Sequence, residues 1–201
     1  ASPSDTIACA ATATDGSGAT DSASASVSVG NTDPVVASVS ISPTSGVKVT
    51  STLTCSATAT DADGGSPTFS YAWTNGSSTL GTSASLTLSS STAAPSDTIS
   101  CTATATDADG GTDTGTDSVS VDNTDPVMSS VSISPSTAYN DDTLTCSATA
   151  TDADGGSPTV SYSWVNTTSS STIASSAAVT LSSSTASSGD VLTCSATATD
   201  S

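Results

Sequence analysis

The sequence contains no Glu, Gln, His or Arg, and its only basic side chain is Lys48. Without His and Glu, and with one Lys, most general acid–base and nucleophile–base pairs cannot be assembled, so an enzyme is not expected. The 19 acids are all Asp and leave a formal charge of −18. Nucleic acid and anionic membrane surfaces are therefore poor partners. Strong helix formers other than Ala are nearly missing, which argues against a helical protein. No signal peptide and no membrane span is visible. What the chain has in abundance is hydroxyl: 47 Ser and 39 Thr in 201 residues. Few aromatics and high net charge are marks of disorder. The apolar residues, however, are regularly placed, which disorder does not require.

Internal repetition explains that regularity. The run Thr54-Cys55-Ser56-Ala57-Thr58-Ala59-Thr60-Asp61-Ala62-Asp63-Gly64-Gly65 returns at Thr145 to Gly156, and a close relative spans Ser100 to Gly111. Asn31-Thr32-Asp33-Pro34-Val35 recurs as Asn123-Thr124-Asp125-Pro126-Val127, a shift of 92. Each unit of that length holds two Cys, one Trp and one linker. Residues 1–31 read as the tail of one unit, 32–123 as a complete unit, and 124–201 as a unit without its last strand. The sequence reads as a window on a longer tandem array.

Within each unit the pattern alternates with period two. Leu53, Cys55, Ala57 and Ala59 share one face, and Thr52, Thr54, Ser56, Thr58 and Thr60 the other. Ile99, Cys101, Ala103 and Ala105 repeat this, as do Phe69, Tyr71 and Trp73. Six or seven such runs, broken by Gly, Pro, Asn and Asp, predict an all-β chain of antiparallel two-sheet sandwiches. One Cys falls on the second strand of a unit and one on the penultimate strand. In an immunoglobulin-like sandwich these face each other across the sheets, which predicts Cys55–Cys101 and Cys146–Cys194. Cys9 would pair with a cysteine upstream. With no Cys-x-x-Cys and no His, a zinc site is a weak reading. Disulfides point outside the cytosol. Each closes a loop worth on the order of 4 kcal/mol in the chain-entropy model.

Cys55, Trp73 and Cys101 resemble the Cys…Trp…Cys pattern of immunoglobulin-like domains, although Ile99 and Leu192 stand where many of those carry a corner Tyr. The strings ATATDADGGSPTFSYAW and ATATDADGGTDTGTDSVSVDNTDP resemble the repeats of bacterial and archaeal surface proteins of the PKD-like and cadherin-like kinds. The resemblance implies tandem domains acting as stalks, adhesin shafts or filament subunits at the cell surface.

The aspartates collect in the loops. One pole of the complete unit is expected to gather Asp33, Asp61, Asp63, Asp107 and Asp109, and the next unit Asp125, Asp152, Asp154 and Asp200. Carboxylates about 5 Å apart repel by roughly 1–3 kcal/mol, depending on the local dielectric. Calcium, a hard cation that prefers Asp and carbonyl oxygens, would relieve this. The Asp-x-Asp and Asn-x-Asp-Pro strings look like cadherin interdomain calcium sites without their Glu ligands. The competing reading is that Asp-Ala-Asp-Gly-Gly is turn chemistry alone. Asp113 and Asp117 are expected to be solvated. Asn75-Gly76-Ser77 and Asn166-Thr167-Thr168 match the N-glycosylation pattern.

The function expected from these features is structural: an extracellular, disulfide-bonded rod or filament segment whose partner is itself, with calcium at the junctions. The alternative is an adhesin module recognising a glycan or protein, for which exposed Tyr139 is the candidate contact, with Lys48 near the corresponding place in the complete unit.

Overall fold

The computed structural model describes residues 1–200, and these contain fifteen strands and no helix. In chain order they are β1 (Thr6–Thr14), β2 (Thr20–Ser28), β3 (Val35–Ser42), β4 (Thr52–Thr60), β5 (Thr68–Asn75), β6 (Ser78–Gly81), β7 (Ser85–Thr87), β8 (Thr98–Thr106), β9 (Thr112–Ser120), β10 (Val127–Ser134), β11 (Thr143–Thr151), β12 (Thr159–Asn166), β13 (Ser171–Ala174), β14 (Ala178–Thr180) and β15 (Leu192–Thr199). Every pairing is antiparallel. The chain divides into two compact units: Ala1–Val47 with Ser51–Leu88 and Asp97–Ser120, and Lys48–Thr50 with Ser89–Ser96 and Val121–Ser201.

The first unit holds a hairpin and a complete sandwich. β1 and β2 pair from Thr6↔Ser28 to Thr14↔Thr20, and every residue of both strands is exposed. Cys9, on β1, is an exposed free thiol. The sandwich stacks sheet β3-β4-β7 on sheet β6-β5-β8-β9. Its inner face follows the alternation. Leu53 and Cys55 of β4 face Ile99, Cys101, Ala103 and Ala105 of β8, all buried, while the Thr rows face out. Cys55 and Cys101 are bonded across the sheets with Cα atoms 6.4 Å apart. Beside the bridge lies Trp73, fully buried, whose indole N–H donates to the Ser83 carbonyl at 2.8 Å. Burial of that N–H costs little because its partner is supplied. On the outer face the hydroxyls pair across strands, as between Thr52 and Thr87 and between Thr102 and Thr116.

β9 closes one side of this sandwich without joining the opposite sheet's ladder. Instead, two of its aspartates reach the edge of β3. Asp113 accepts the Val36 backbone N–H at 2.8 Å, and Asp117 accepts that of Ile41 at 2.9 Å. Between them, Gly115 lets β3 come close, since a Cβ there would meet Val39 Cγ2 at 2.7 Å and Val36 Cγ1 at 2.9 Å. The expectation that Asp113 and Asp117 are solvated is thus corrected. Both are half-buried, because a sheet edge otherwise leaves N–H groups unpaired.

The second unit contains a sandwich built to the same plan, with sheets β10-β11-β14 and β13-β12-β15. Cys146–Cys194 bridges them, again at 6.4 Å between Cα atoms. Buried Trp164 donates to the Ser176 carbonyl at 3.1 Å. Around that bridge pack Leu144, Val179 and Leu181, with Ile133, Tyr162 and Leu192 half-buried at the margin. At that margin a cleft of about 690 Å³ opens between Ile133, Pro135, Tyr139, Leu181 and Leu192.

Candidate functional site

The aspartate loops and the Asn-Thr linkers form one repeated device. In the loop after β4, Asp61 accepts the backbone N–H of Asp63 at 2.9 Å, the Asx arrangement that tightens a turn. That turn presents Asp63, whose carboxylate accepts the Thr32 backbone N–H at 2.6 Å and the Thr32 hydroxyl at 3.4 Å. The loop after β8 is built alike. Asp107 Oδ1 accepts N–H groups from Asp109 at 3.0 Å and Gly111 at 2.7 Å. Its Oδ2 accepts the Asn31 side-chain amide at 2.9 Å. Two consecutive linker residues, 31 and 32, are therefore each held by a different loop of the sandwich that follows.

The second unit repeats the device. Asp152 accepts the Asp154 N–H at 2.8 Å, Asp154 accepts the Thr124 backbone N–H at 2.6 Å, and Asp200 accepts the Asn123 side-chain amide at 2.7 Å. Thr124 Oγ1 and Asp154 Oδ1 are buried there without partners, whereas their counterparts in the first sandwich meet at 3.4 Å. In the same unit Lys48 donates to the Asn123 carbonyl. The chain's only basic side chain thus touches the linker backbone.

Electrostatics agree with the hydrogen bonds. The Asn31 amide holds the Asp107 carboxyl below its ordinary value; burial opposes it as the second effect, and the N–H groups of Gly111, Asp109 and Gly110 each add a smaller lowering. Asp33 also comes to this loop. Its Oδ1 and Asp107 Oδ2 each lie 2.5 Å from where a Gly111 Cβ would sit, with Asn31 Nδ2 at 2.7 Å. A side chain at position 111 would therefore have to displace these three side-chain ends.

Of the sequence-predicted ligands, Asp33 and Asp107 meet at the loop after β8, Asp61 and Asp63 share the loop after β4, and Asp109 contributes its backbone N–H. Asp152 and Asp154 meet at the second, and Asp125 is exposed. The donors on these carboxylates are N–H groups and, on Asp63, the Thr32 hydroxyl. Among the described residues, no three acidic, Cys or His side chains converge as a metal-ligand set. The arrangement fits a linker latch.

The two sequon asparagines point inward. Asn166 is 2% exposed, and its amide nitrogen donates to Asp190 at 2.7 Å and to the Thr185 carbonyl at 3.2 Å. Its Oδ1 accepts the N–H groups of Thr168 and Ser169. Asn75, half-buried, donates to Asp97 at 2.6 Å. In the folded state these amides fasten the end of the Trp strand to the loop before the penultimate strand, and Asn166 has no free face for a glycan. The latch roles of Asn31, Thr32, Asn123 and Thr124 were missed in the sequence, although the Asn-Thr-Asp-Pro repeat was the available signal. No protein-family model matches this chain, and neither does any curated protein.

Proposed function

We propose that this chain is a segment of an extracellular structural rod, stalk or filament made of tandem immunoglobulin-like domains, and that its partner is another copy of itself. The observation that carries this reading is the duplicated latch. A linker of Ser and Gly would swivel. Here Asn31 and Thr32, and again Asn123 and Thr124, are tied by side chain and backbone to the domain they enter. Such fastening serves a part that bears load or keeps spacing. Two inter-sheet disulfides support an oxidising compartment. Among the described residues no helix is long and apolar enough to cross a membrane. The missing side-chain types argue against catalysis.

A calcium ion at the first pole would draw on Asp33, Asp61, Asp63, Asp107 and Asp109, and it would have to displace the N–H donors already on Asp63 and Asp107. Melting with excess calcium and with chelator decides this: a rise with calcium that chelator reverses adds the cation, and superimposable curves remove it. The structural role is tested by labelling intact cells with antibody to this chain. Label along surface fibres is expected. Label confined to the cytoplasm, with the thiols of Cys55 and Cys101 reduced, overturns the reading. An adhesin role has one observation in its favour: Tyr139 is 74% exposed at the mouth of the second-unit cleft. Glycan or protein binding that Tyr139→Ala abolishes would establish it.

A further inference from the structure

We propose that Lys48 is a positioning residue for the linker at 121–125, and that it and Asp154 hold this linker by the two ends of a single peptide unit. Lys48 donates to the Asn123 carbonyl, and the next backbone group along, the Thr124 N–H, goes to Asp154 Oδ2 at 2.6 Å. The carbonyl and N–H of a trans peptide point in opposite directions. Ammonium and carboxylate therefore stand at opposite ends of one peptide, each at the end of the dipole that its charge favours. Both hydrogen bonds are charge-assisted, which makes them stronger than bonds between neutral groups. The result is a salt bridge relayed through the linker backbone. Carboxylates alone cannot close such a clamp, since they repel a carbonyl oxygen, and the sequence has 19 of them against one lysine ammonium. That ammonium stands at the Asn123 carbonyl.

Each arm of the clamp has a fixed base. Val47 and Val49, on either side of Lys48, are fully buried, so the lysine stem leaves from an anchored segment. Asp154 is presented by the turn that Asp152 tightens. Gly155 follows it at φ +94°, and a Cβ there would press on Ser90, at 3.0 Å from its Cβ and 3.3 Å from its Oγ. The Ser89–Ser96 segment is in turn tied to the start of the linker, because the Ser96 N–H donates to the Val121 carbonyl at 2.8 Å. The Asn123 side-chain amide adds its bond to Asp200 at 2.7 Å. Lys48–Thr50, Ser89–Ser96 and Val121–Ser201 form one compact unit, as these contacts require. Thr124 Oγ1 and Asp154 Oδ1 are closed to solvent, so this end of the clamp is little screened by salt. The Asn31–Thr32 peptide offers a reference in the same molecule: Asp63 takes its N–H at 2.6 Å, and the one lysine lies elsewhere.

This deepens the structural role proposed above by naming the residue that fixes a linker, and it rests on that role for its purpose. The test is amide hydrogen exchange, read by NMR on the 201-residue chain. Lys48→Met keeps the stem and removes the ammonium. It should speed exchange of the Thr124 amide by about tenfold or more, the worth of one hydrogen bond to a charged group, while the Thr32 amide exchanges as before. Lys48→Arg restores a cationic donor and should recover most of that loss. An unchanged Thr124 rate in Lys48→Met overturns the proposal. Equal acceleration at Thr32 does so too, since it reports general loosening. So does a Lys48→Arg protein no better protected than Lys48→Met, which would show that packing of the stem matters and the charge does not. In the unsubstituted protein, NOEs from the Lys48 Cε protons to Asn123 and Thr124 are expected, and their absence overturns the contact without any substitution. Cell-surface labelling is unaffected by any of these results, so the two readings fail separately.

Discussion

The penultimate strand occurs three times with nearly one sequence, TIACAATAT in β1, TISCTATAT in β8 and LTCSATAT in β15, and each copy has a different environment. β8 has a strand on either side and a sheet beneath it, and Ile99, Cys101, Ala103 and Ala105 are all buried. β15 has one neighbour and a sheet, and only Cys194 of its inner row is buried, at 9% exposure against 0% for Cys101. β1 has one neighbour and no sheet, and nothing on it is buried. The ladder forms in all three, so alternation and β propensity suffice for a strand pair. Burial does not follow from them. It comes from the last strand and from the opposite sheet, and Ala and Thr contribute little without both.

If that is right, the two sandwiches differ in stability although they share a plan and a bridge. Removing the bridge gives the largest effect. The loops are 46 and 48 residues, so each loss costs about 4 kcal/mol in the chain-entropy model. The second sandwich, with its leaky margin, should melt first in the 201-residue chain. It should be unfolded at ambient temperature in Cys146→Ala/Cys194→Ala, whereas Cys55→Ala/Cys101→Ala should leave a weakened but folded first sandwich. Trp73 and Trp164 report separately in Trp164→Phe and Trp73→Phe proteins. Coincident fluorescence transitions would show that β9 adds no stability.

A second way to break the comparison is to unseal β9. Asp117→Ala leaves the Ile41 N–H without its acceptor, which costs about 1–3 kcal/mol for a buried donor. Gly115→Val drives a side chain into Val36 and Val39, and overpacking of this kind costs roughly 1–3 kcal/mol. Both changes should lower the first transition and leave the second in place, as read by the same two tryptophans. A shift in the Trp164 transition would mean that the seam is not local to the first sandwich.

Much of this was legible beforehand. Period-two alternation places Leu53, Cys55, Ile99 and Cys101 inward, and that is where they lie. The repeat length supplies the strand equivalences, and these the pairing found in both bridges. What alternation cannot show is where a polar side chain goes when a backbone N–H lies across a gap. Asp113 and Asp117 sit at the same parity as Val119, so they point to the inner side, yet composition assigns Asp to water. The need of the β3 edge for acceptors decides the matter. The same limit applies to the poles. A row of aspartates suggests a cation, and the pattern alone does not show that turn and linker N–H groups also use these carboxylates. The sequons show a related limit, since Asn166 satisfies the pattern while in the folded chain its amide donates to Asp190.

The smallest expected effect separates two latches that look alike. Asp107 and Asp190 both titrate below the ordinary 3.8, so their folded states favour the carboxylate. That contribution is complete above the unfolded value and disappears as pH falls through the lower folded value, so any loss lies on the acid side of about pH 4. The causes differ in order. For Asp107 the Asn31 amide comes first, whereas for Asp190 the Ser187 N–H comes first and the Asn166 amide second. Asn31→Ala should therefore return most of the Asp107 shift, and Asn166→Ala only part of the Asp190 shift, because Ser187 still donates at 2.8 Å. Carboxyl-carbon NMR titration of the two variants reads both values directly. Equal movement at Asp107 and Asp190 would mean that the linker amide is no more important to its aspartate than the loop amide is to the other. The latch on residues 31 and 32 would then hold through the Thr32 N–H and Asp63 alone.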